Sequence, residues 1–241
     1  MKTFQSQNIF FKSVLVLSMI SFVSCKGDGP KKVSKNDEAQ SIKEVEKELL
    51  KKTEIMIFDE FEDYASLTTL NEIQNAFGWE NCESGTSYYS EGTIKVKHTL
   101  VKNLKNNHQV KYVWNQKDPS ILDFIEASYN IYDKDFNILA YQTIESNCGM
   151  NLGMSIKNLI KWNEKEFSFS GFGLDYEGTV IPTDNSKLDN CKVKITLGIK
   201  DNIENNTFTS LNGGGLFNTK SALVRKAPIY LSLFTLYIPK K

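Results

Sequence analysis

The side chains of this chain that are best suited to catalysis or metal binding belong to four cysteines and two histidines. They are Cys25, Cys82, Cys148 and Cys191, with His98 and His108. The sequence contains no Cys-x-x-Cys pair, and no cysteine–histidine cluster has the spacing of a zinc site. Neither histidine belongs to a nucleophile motif, a zinc-protease motif or a P-loop. These residues predict no metal, no cofactor and no catalytic centre, so we expect a protein that is not an enzyme.

The first cysteine follows a segment with the layout of an export signal. Lys2 and Lys12 form a basic region, and the apolar run Ser13–Val23 leads to a small residue, Ser24. The run is too short for a transmembrane helix, which needs about 20 apolar residues. We interpret residues 1–24 as a signal peptide. The alternative is an ordinary secretory signal that happens to precede a cysteine.

The junction Phe22-Val23-Ser24-Cys25 resembles the lipobox of bacterial lipoproteins. The resemblance implies cleavage before Cys25, a diacylglycerol on its thiol, and a further acyl chain such as palmitate on the new amino group. Several acyl chains anchor a protein stably, whereas a single chain binds a membrane only marginally. Residues 25–37 are poor in apolar side chains and contain Gly and Pro, which predicts a flexible tether. We therefore expect a lipid anchor in the bacterial cell envelope, at the outer membrane.

The charge balance argues against nucleic acid as a partner. The chain has 29 basic and 29 acidic residues and a formal net charge of +0, whereas nucleic-acid binders carry a basic surplus. Arg225 is the only arginine. A site built from several bidentate arginine clamps is therefore excluded.

Three cysteines remain once Cys25 carries lipid, and an exported protein can form disulfides. An odd number allows at most one internal bridge among Cys82, Cys148 and Cys191 and leaves one thiol over. The sequence leaves open which pair forms the bridge, and whether any pair does.

Three segments have helical patterns. Residues 38–53 are typical of a charged surface helix with a narrow apolar side. Thr69 and Glu72 have the spacing of a capping box, which predicts a second helix, and a third begins near Ser155. The apolar faces are formed by Leu70, Ile73 and Phe77 in the second helix and by Ile156, Leu159 and Ile160 in the third.

A run of strand patterns follows each of these two helices. The predicted strands cover 93–101, 110–114, 121–132 and 136–144 in the first run, and 166–172, 174–181, 191–200 and 228–238 in the second, with a weaker strand over 207–211. Apolar and polar residues alternate, which favours antiparallel sheet with one buried face, formed in the first strand by Ile94, Val96, His98 and Leu100. We predict an α+β fold of two tandem units, residues 67–145 and 153–241. Each unit is a helix followed by about four strands, with the helices packed on one sheet face.

The segment before the third helix resembles two related groups of proteins. Gly149-Met150-x-x-Gly153-Met154-Ser155 is similar to the start of the helix in the small lipoprotein of the outer-membrane barrel assembly machine and in the secreted β-lactamase inhibitor protein. The inhibitor is a tandem repeat of helices on four strands, so the resemblance implies the same layout. The stretch from Asn163 to Gly178 resembles a family of uncharacterised bacterial lipoproteins, which implies no particular activity.

A run of aromatic residues follows the third helix. The aromatic positions change from odd numbers at Phe169 to even numbers at Phe172, and a bulge at Ser170-Gly171 would keep both on one face. An aromatic core strand with such a bulge is the first interpretation. The other is a candidate binding surface formed by Phe172, Asp175 and Tyr176.

Asp133-x-Asp135-x-Asn137 has the opening spacing of a calcium loop. The loop also needs a glycine at its sixth position and a glutamate at its twelfth, where this chain has Ile138 and Ile144. We interpret the segment as a hairpin turn.

These observations favour a lipid-anchored lipoprotein of the cell envelope that acts as a non-enzymatic binding module. Its sheet face or loops would hold a protein or another envelope component. Two alternatives are a hydrolase of envelope polymers that uses a pair of carboxylates and a small-molecule binder with a closed apolar pocket.

Overall fold

The fold combines short helices with antiparallel strands. A computed structural model describes residues 57–173, 178–200 and 206–239. The strands are β1 (Cys82–Tyr89), β2 (Ile94–Asn103), β3 (His108–Trp114), β4 (Leu122–Ser128), β5 (Asn130–Tyr132), β6 (Ile138–Tyr141), β7 (Ser168–Ser170), β8 (Val180–Ile181), β9 (Lys194–Ile199), β10 (Leu216–Asn218) and β11 (Ile229–Tyr237). The α-helices are α1 (Leu70–Phe77), α2 (Ile156–Asn163), α3 (Lys187–Asn190) and α4 (Ala222–Lys226), and 3₁₀ helices cover Phe61–Ser66, Trp79–Asn81 and Asn206–Leu211.

A six-stranded sheet forms the centre, in the order β1-β2-β3-β4-β11-β9. Its neighbouring strands pair antiparallel. The α+β class and the antiparallel sheet are therefore confirmed. Strands β7, β8 and β10 form a small sheet of their own, and β5 and β6 form a hairpin.

One hydrophobic cluster joins the helices to one face of the large sheet. Ile73 of α1 and Leu159 of α2 are fully buried, and they belong to the same cluster as Val101, Ile125 and Phe234 of strands β2, β4 and β11. Burying this apolar area is the main driving force that holds the elements together. The other face of the sheet is left without a helix from this cluster.

The two predicted helices begin where their caps require. The Thr69 hydroxyl accepts the backbone N–H of Glu72 at 3.3 Å, and the Glu72 carboxylate accepts the N–H of Thr69 at 3.0 Å, which is the predicted capping box. The Ser155 hydroxyl accepts the N–H of Asn158 at 3.4 Å. Both helix starts are confirmed, whereas Leu70 is 40% exposed and does not join the buried face as predicted.

The small sheet is connected to the large one through backbone contacts beside β9. The Leu197 N–H donates to the Gly178 carbonyl at 2.9 Å, and Thr179 pairs with Thr196. Strand β8 therefore lies beside β9, beyond the edge of the six-stranded sheet. The second predicted run of strands is thus divided between the two sheets.

The predicted buried face of β2 is wrong. Of Ile94, Val96, His98 and Leu100, only Val96 is buried. Thr99, Val101 and Asn103 point into the core instead. The polar members of this set have internal partners, because Thr99 accepts from the Trp114 indole N–H at 3.0 Å and Asn103 donates to the Tyr64 hydroxyl at 2.9 Å. A polar residue that is hydrogen-bonded can face a core, and alternation of residue types then points to the wrong face.

Other differences concern segments with weak patterns. Residues 206–211 form a 3₁₀ helix where a strand was predicted over 207–211. The eight-residue strand β1 was not predicted, because its sequence is rich in small and polar side chains and lacks a strand pattern of alternating apolar residues. His108 begins β3 and bonds to the Tyr64 hydroxyl at 3.2 Å. The Asp133 segment forms the predicted hairpin turn, in which its carboxylate accepts the N–H of Asp135 at 2.8 Å.

Several predictions fall on residues that the structure does not describe. The signal peptide 1–24, the tether 25–37 and the charged helix 38–53 all lie outside the described residues. The predicted units 67–145 and 153–241, called the first and second halves below, lie mostly within them.

Candidate functional site

The candidate site is the face of the six-stranded sheet opposite the helices, which we call the free face. The strand register places Phe124, Glu126 and Ser128 of β4 on this face, next to Leu233, Thr235 and Tyr237 of β11. Strand β3 adds Gln109, Lys111 and Val113, and β9 adds Thr196. Every second residue of β4 from Phe124 to Ser128 faces this side, and the same alternation continues into Asn130 and Tyr132 of β5.

Three depressions adjoin on the free face, and together they are called the groove. Their volumes are about 790, 190 and 380 Å³. Leu233 lines all three, so they meet at the middle of β11. The first reaches Tyr89 and Tyr237, and the third reaches Tyr132 and Tyr230. Concave sites of this size and mixed lining are where proteins bind ligands.

An aromatic cluster forms the first end of the groove. The Phe124 ring lies 5.7 Å from Tyr89 and 5.4 Å from Tyr237, measured between ring centroids. Tyr237 is 61% exposed, so a large part of its surface is available to a ligand. These three side chains come from β1, β4 and β11, and the sheet register brings them together.

A short polar network occupies the centre of the groove. The buried Glu126 carboxylate accepts the Tyr89 hydroxyl at 2.9 Å and lies 3.6 Å from the Lys111 ammonium. Burial and the nearby Glu126 charge raise the pKa of Tyr89, so its hydroxyl stays protonated and donates. The negative charge of Glu126 is thus compensated inside the site.

The second end of the groove is built around Asn130. Its side-chain amide donates to the hydroxyls of Tyr132 at 2.8 Å and Tyr230 at 3.4 Å. Its carbonyl oxygen is buried and has no hydrogen-bond partner. A buried acceptor that lacks a partner lowers the stability of a fold, and native proteins retain few such atoms. The groove therefore contains a polar atom that its own side chains do not satisfy.

A serine and a histidine also meet on the free face, beside the groove. The Ser87 hydroxyl lies 2.8 Å from His98 Nδ1. The imidazole covers Gly85, where a Cβ atom would lie 2.5 Å from Nε2. Burial, and then the nearby Lys111 charge, lower the pKa of His98, so the ring is neutral near pH 7 and can accept a proton. Sequence reasoning missed this pair because its members lie on different strands.

Among the predicted binding-surface residues, Phe172 is the one that the structure describes, and it lines the third depression of the groove. Phe172 is only 4% exposed, and its ring centroid lies 5.8 Å from that of buried Phe169. It is therefore mostly buried, but it also lines the third depression, and the binding surface predicted from Phe172, Asp175 and Tyr176 stays a prediction. Strand β7 ends at Ser170, and the close approach of Gly171 to the Gly213 carbonyl leaves no room for a side chain. This break lets both rings reach the core.

The other predicted site residues lie outside the described part of the chain. They are Cys25, Asp175 and Tyr176. The described flanks of the latter two, Gly173 and Thr179, line the first depression.

Two of the remaining cysteines form a disulfide. Cys148 and Cys191 are joined across 43 residues of sequence, and Cys82 is a free, half-buried thiol. The Glu62 carboxylate lies close to the two sulfurs, and burial raises its pKa. Both sulfurs are used in the disulfide bond. We therefore interpret Glu62, Cys148 and Cys191 as a structural cross-link with a carboxylate beside it.

Comparison with known proteins adds no assignment: no family model, no curated protein and no solved structure matches the chain. None of the helices in residues 57–173, 178–200 and 206–239 has the length and apolar character needed to span a membrane.

Proposed function

We propose that the protein is a lipid-anchored lipoprotein of the bacterial cell envelope that binds a partner, without catalysing a reaction, through the groove on the free face of its sheet. The groove carries this proposal. It has a concave surface, exposed aromatic rings at both ends and polar groups between them. Proteins use such combinations for recognition, since aromatic side chains supply contact area and polar groups set orientation.

The test compares what the full-length, membrane-bound protein captures from its native envelope with what two variants capture. Leu233→Lys places a charge where the three depressions meet and should abolish capture. Asn75→Lys places the same charge on an exposed position of α1 and should leave capture unchanged. Equal capture by all three proteins would contradict a role for the groove.

The anchor is proposed from the Ser24-Cys25 junction. Cys25→Ala should remove metabolic labelling by a fatty acid and release the protein from the membrane fraction. Unchanged labelling of that variant would contradict the assignment of Cys25.

We also propose that the two halves are equivalent units related by an approximate two-fold axis. Support comes from strand order, because the last long strands of the halves, β4 and β11, pair at the centre of the sheet. Strands β3 and β9 lie outside them, and β2 and β8 lie further out. Each half also begins with a helix capped by Thr69 or Ser155. Strand β10 is then an insertion that pairs with β7.

A small-molecule ligand is the second candidate, because the 790 Å³ of the first depression is within the range of ligand pockets. The two possibilities differ in the size of what is captured. A tightly bound small ligand would remain on the purified protein during dialysis. Native mass spectrometry would then detect the complex of protein and ligand.

A further inference from the structure

We infer that the groove binds a neutral oligosaccharide chain, several sugar units long. This inference rests on the proposed binding function and names the chemical class of its partner. It is carried by the spacing of the aromatic rings, by the polar groups between them and by the near absence of uncompensated charge among the described residues that line the groove.

The aromatic side chains lie at the two ends of the groove rather than in one pocket. Phe124 and Asn130 are separated by six residues along β4 and β5, which is roughly 20 Å of extended chain. Tyr237 beside Phe124 is 61% exposed, and Tyr132 beside Asn130 is 49% exposed. Sugar rings have apolar C–H faces that pack on aromatic rings. Two ring platforms at this separation fit an extended chain of sugars better than one compact ligand.

The groups between the platforms suit hydroxyl-rich ligands. The Tyr132 and Tyr230 hydroxyls accept hydrogen bonds from Asn130, so their own hydrogens remain available to a ligand oxygen. Thr196 and Thr235 add hydroxyls to the lining of the first depression. A sugar hydroxyl both donates and accepts, so it can bond to each kind of group.

The charges of the groove disfavour an ionic ligand. Lys111 and Glu126 are paired with each other, and the lining of the third depression contains no charged residue. Glu91, at the margin of the first depression, leaves a slight negative balance. Among the described residues that line the groove, an anionic polymer would meet no unpaired cation and a basic peptide would find no acidic cluster. Two lysines lie beside this lining: the Lys200 ammonium is 5.9 Å from the Tyr230 ring centroid, and Lys194 pairs with Thr235 across the strands.

The experiment uses the complete lipid-anchored protein in detergent and three soluble fractions of its own envelope. Mild acid hydrolysis releases oligosaccharides, which ion exchange divides into a neutral and an acidic fraction, and a protease digest gives a peptide fraction. We expect binding of the neutral fraction, with affinity that rises with chain length and is unchanged by added sodium chloride. Tyr132→Ala and Tyr237→Ala should each weaken it about 2- to 13-fold, since an aromatic contact contributes about 0.5–1.5 kcal/mol.

Trp79→Ala is the matched control, because Trp79 is 76% exposed and does not line the groove. Its affinity should equal that of the unmodified protein. Groove-dependent binding of only the acidic or the peptide fraction would overturn the oligosaccharide assignment while leaving the binding function intact. Binding of no fraction, together with equal envelope capture by Leu233→Lys, would overturn both.

Discussion

The two halves of the protein use similar starting elements to build different amounts of regular sheet. In the first half, β1, β2 and β3 each pair with the next strand along the chain. In the second half, only β9 and β11 enter the large sheet, while β7 pairs with both β8 and β10 in the small sheet at its side. The first half is therefore held by contacts between chain neighbours, and the second depends on contacts between distant segments.

The second half, together with the short segment that precedes it, has additional links that compensate for its smaller amount of regular sheet. The Cys148–Cys191 disulfide joins the segment before α2 to the segment before β9. The Glu166 carboxylate accepts hydrogen bonds from the Arg225 guanidinium and the Thr219 hydroxyl, which lie more than fifty residues later. Short strands bury little surface and form few backbone hydrogen bonds with their neighbours. The disulfide and the Glu166 hydrogen bonds therefore add stabilisation that the short strands do not provide. Four predictions test this comparison.

The largest effect should come from the core anchors of the two helices. Ile73→Ala and Leu159→Ala remove fully buried side chains from α1 and α2, and each should lower the free energy of unfolding by about 2–5 kcal/mol. Urea unfolding followed by circular dichroism would measure both. Leu70→Ala, at a 40% exposed position, is the control and should have a much smaller effect. A silent Leu159→Ala would show that α2 does not anchor its half as α1 does.

The disulfide should matter almost as much, and for the second half above all. Replacing both Cys148 and Cys191 by Ser should destabilise the protein by about 2–4 kcal/mol, because the unfolded chain loses a cross-link. Hydrogen exchange should show the loss of protection concentrated in β7 to β9. Cys82→Ser, which removes only a thiol bonded to the Gly78 carbonyl at 3.2 Å, is the control. Equal loss of protection in β2 and β3 would contradict a link specific to the second half.

How far the sequence predicts the fold depends on how local the deciding contacts are. The helix starts at Thr69 and Ser155 are determined within four residues, and both were predicted. The inward face of β2 is determined by Trp114 and Tyr64, which satisfy Thr99 and Asn103 from other elements. No pattern within β2 contains that information.

The candidate site was predictable only in part, for the same reason. The predicted strand over 121–132 contains the alternating stripe from Phe124 to Tyr132, so one wall of the groove was present in the sequence. The groove forms only when Tyr237 and Leu233 of β11 lie beside this wall, and β11 comes about a hundred residues later in the chain. The aromatic run turns inward after β7, so Phe172 is largely buried and lines the third depression, and its predicted part in a binding surface stays a prediction.

A smaller effect should distinguish the caps of α1 and α2. Thr69→Ala and Ser155→Ala should each reduce the free energy of unfolding by about 0.5–2 kcal/mol, with the smaller loss at Thr69. The reason is that Glu72 still accepts the backbone N–H groups of Thr68 and Thr69 when the Thr69 hydroxyl is removed, whereas the corresponding residue in α2 is Asn158. Glu72→Gln should weaken the first helix only. A larger loss at Thr69 than at Ser155 would contradict the idea that the capping box makes the first half locally self-sufficient.

The smallest effect concerns pH, and it should arise in the first half alone, because both histidines of the chain lie there. Burial lowers the pKa of His98 and of His108 below the ordinary value of 6.5. The folded protein then binds fewer protons than the unfolded chain, so stability is complete above pH 6.5 and declines as the pH falls toward the folded pKa values. His98→Gln should reduce this decline, since glutamine can still bond to Ser87 but does not titrate. Urea unfolding at several values between about pH 7 and pH 5 would measure the difference, and proton NMR of the imidazole would give the His98 pKa directly. A His98 pKa above 6.5 would reverse the sign of the dependence, and the neutral imidazole on the free face would then be the wrong description.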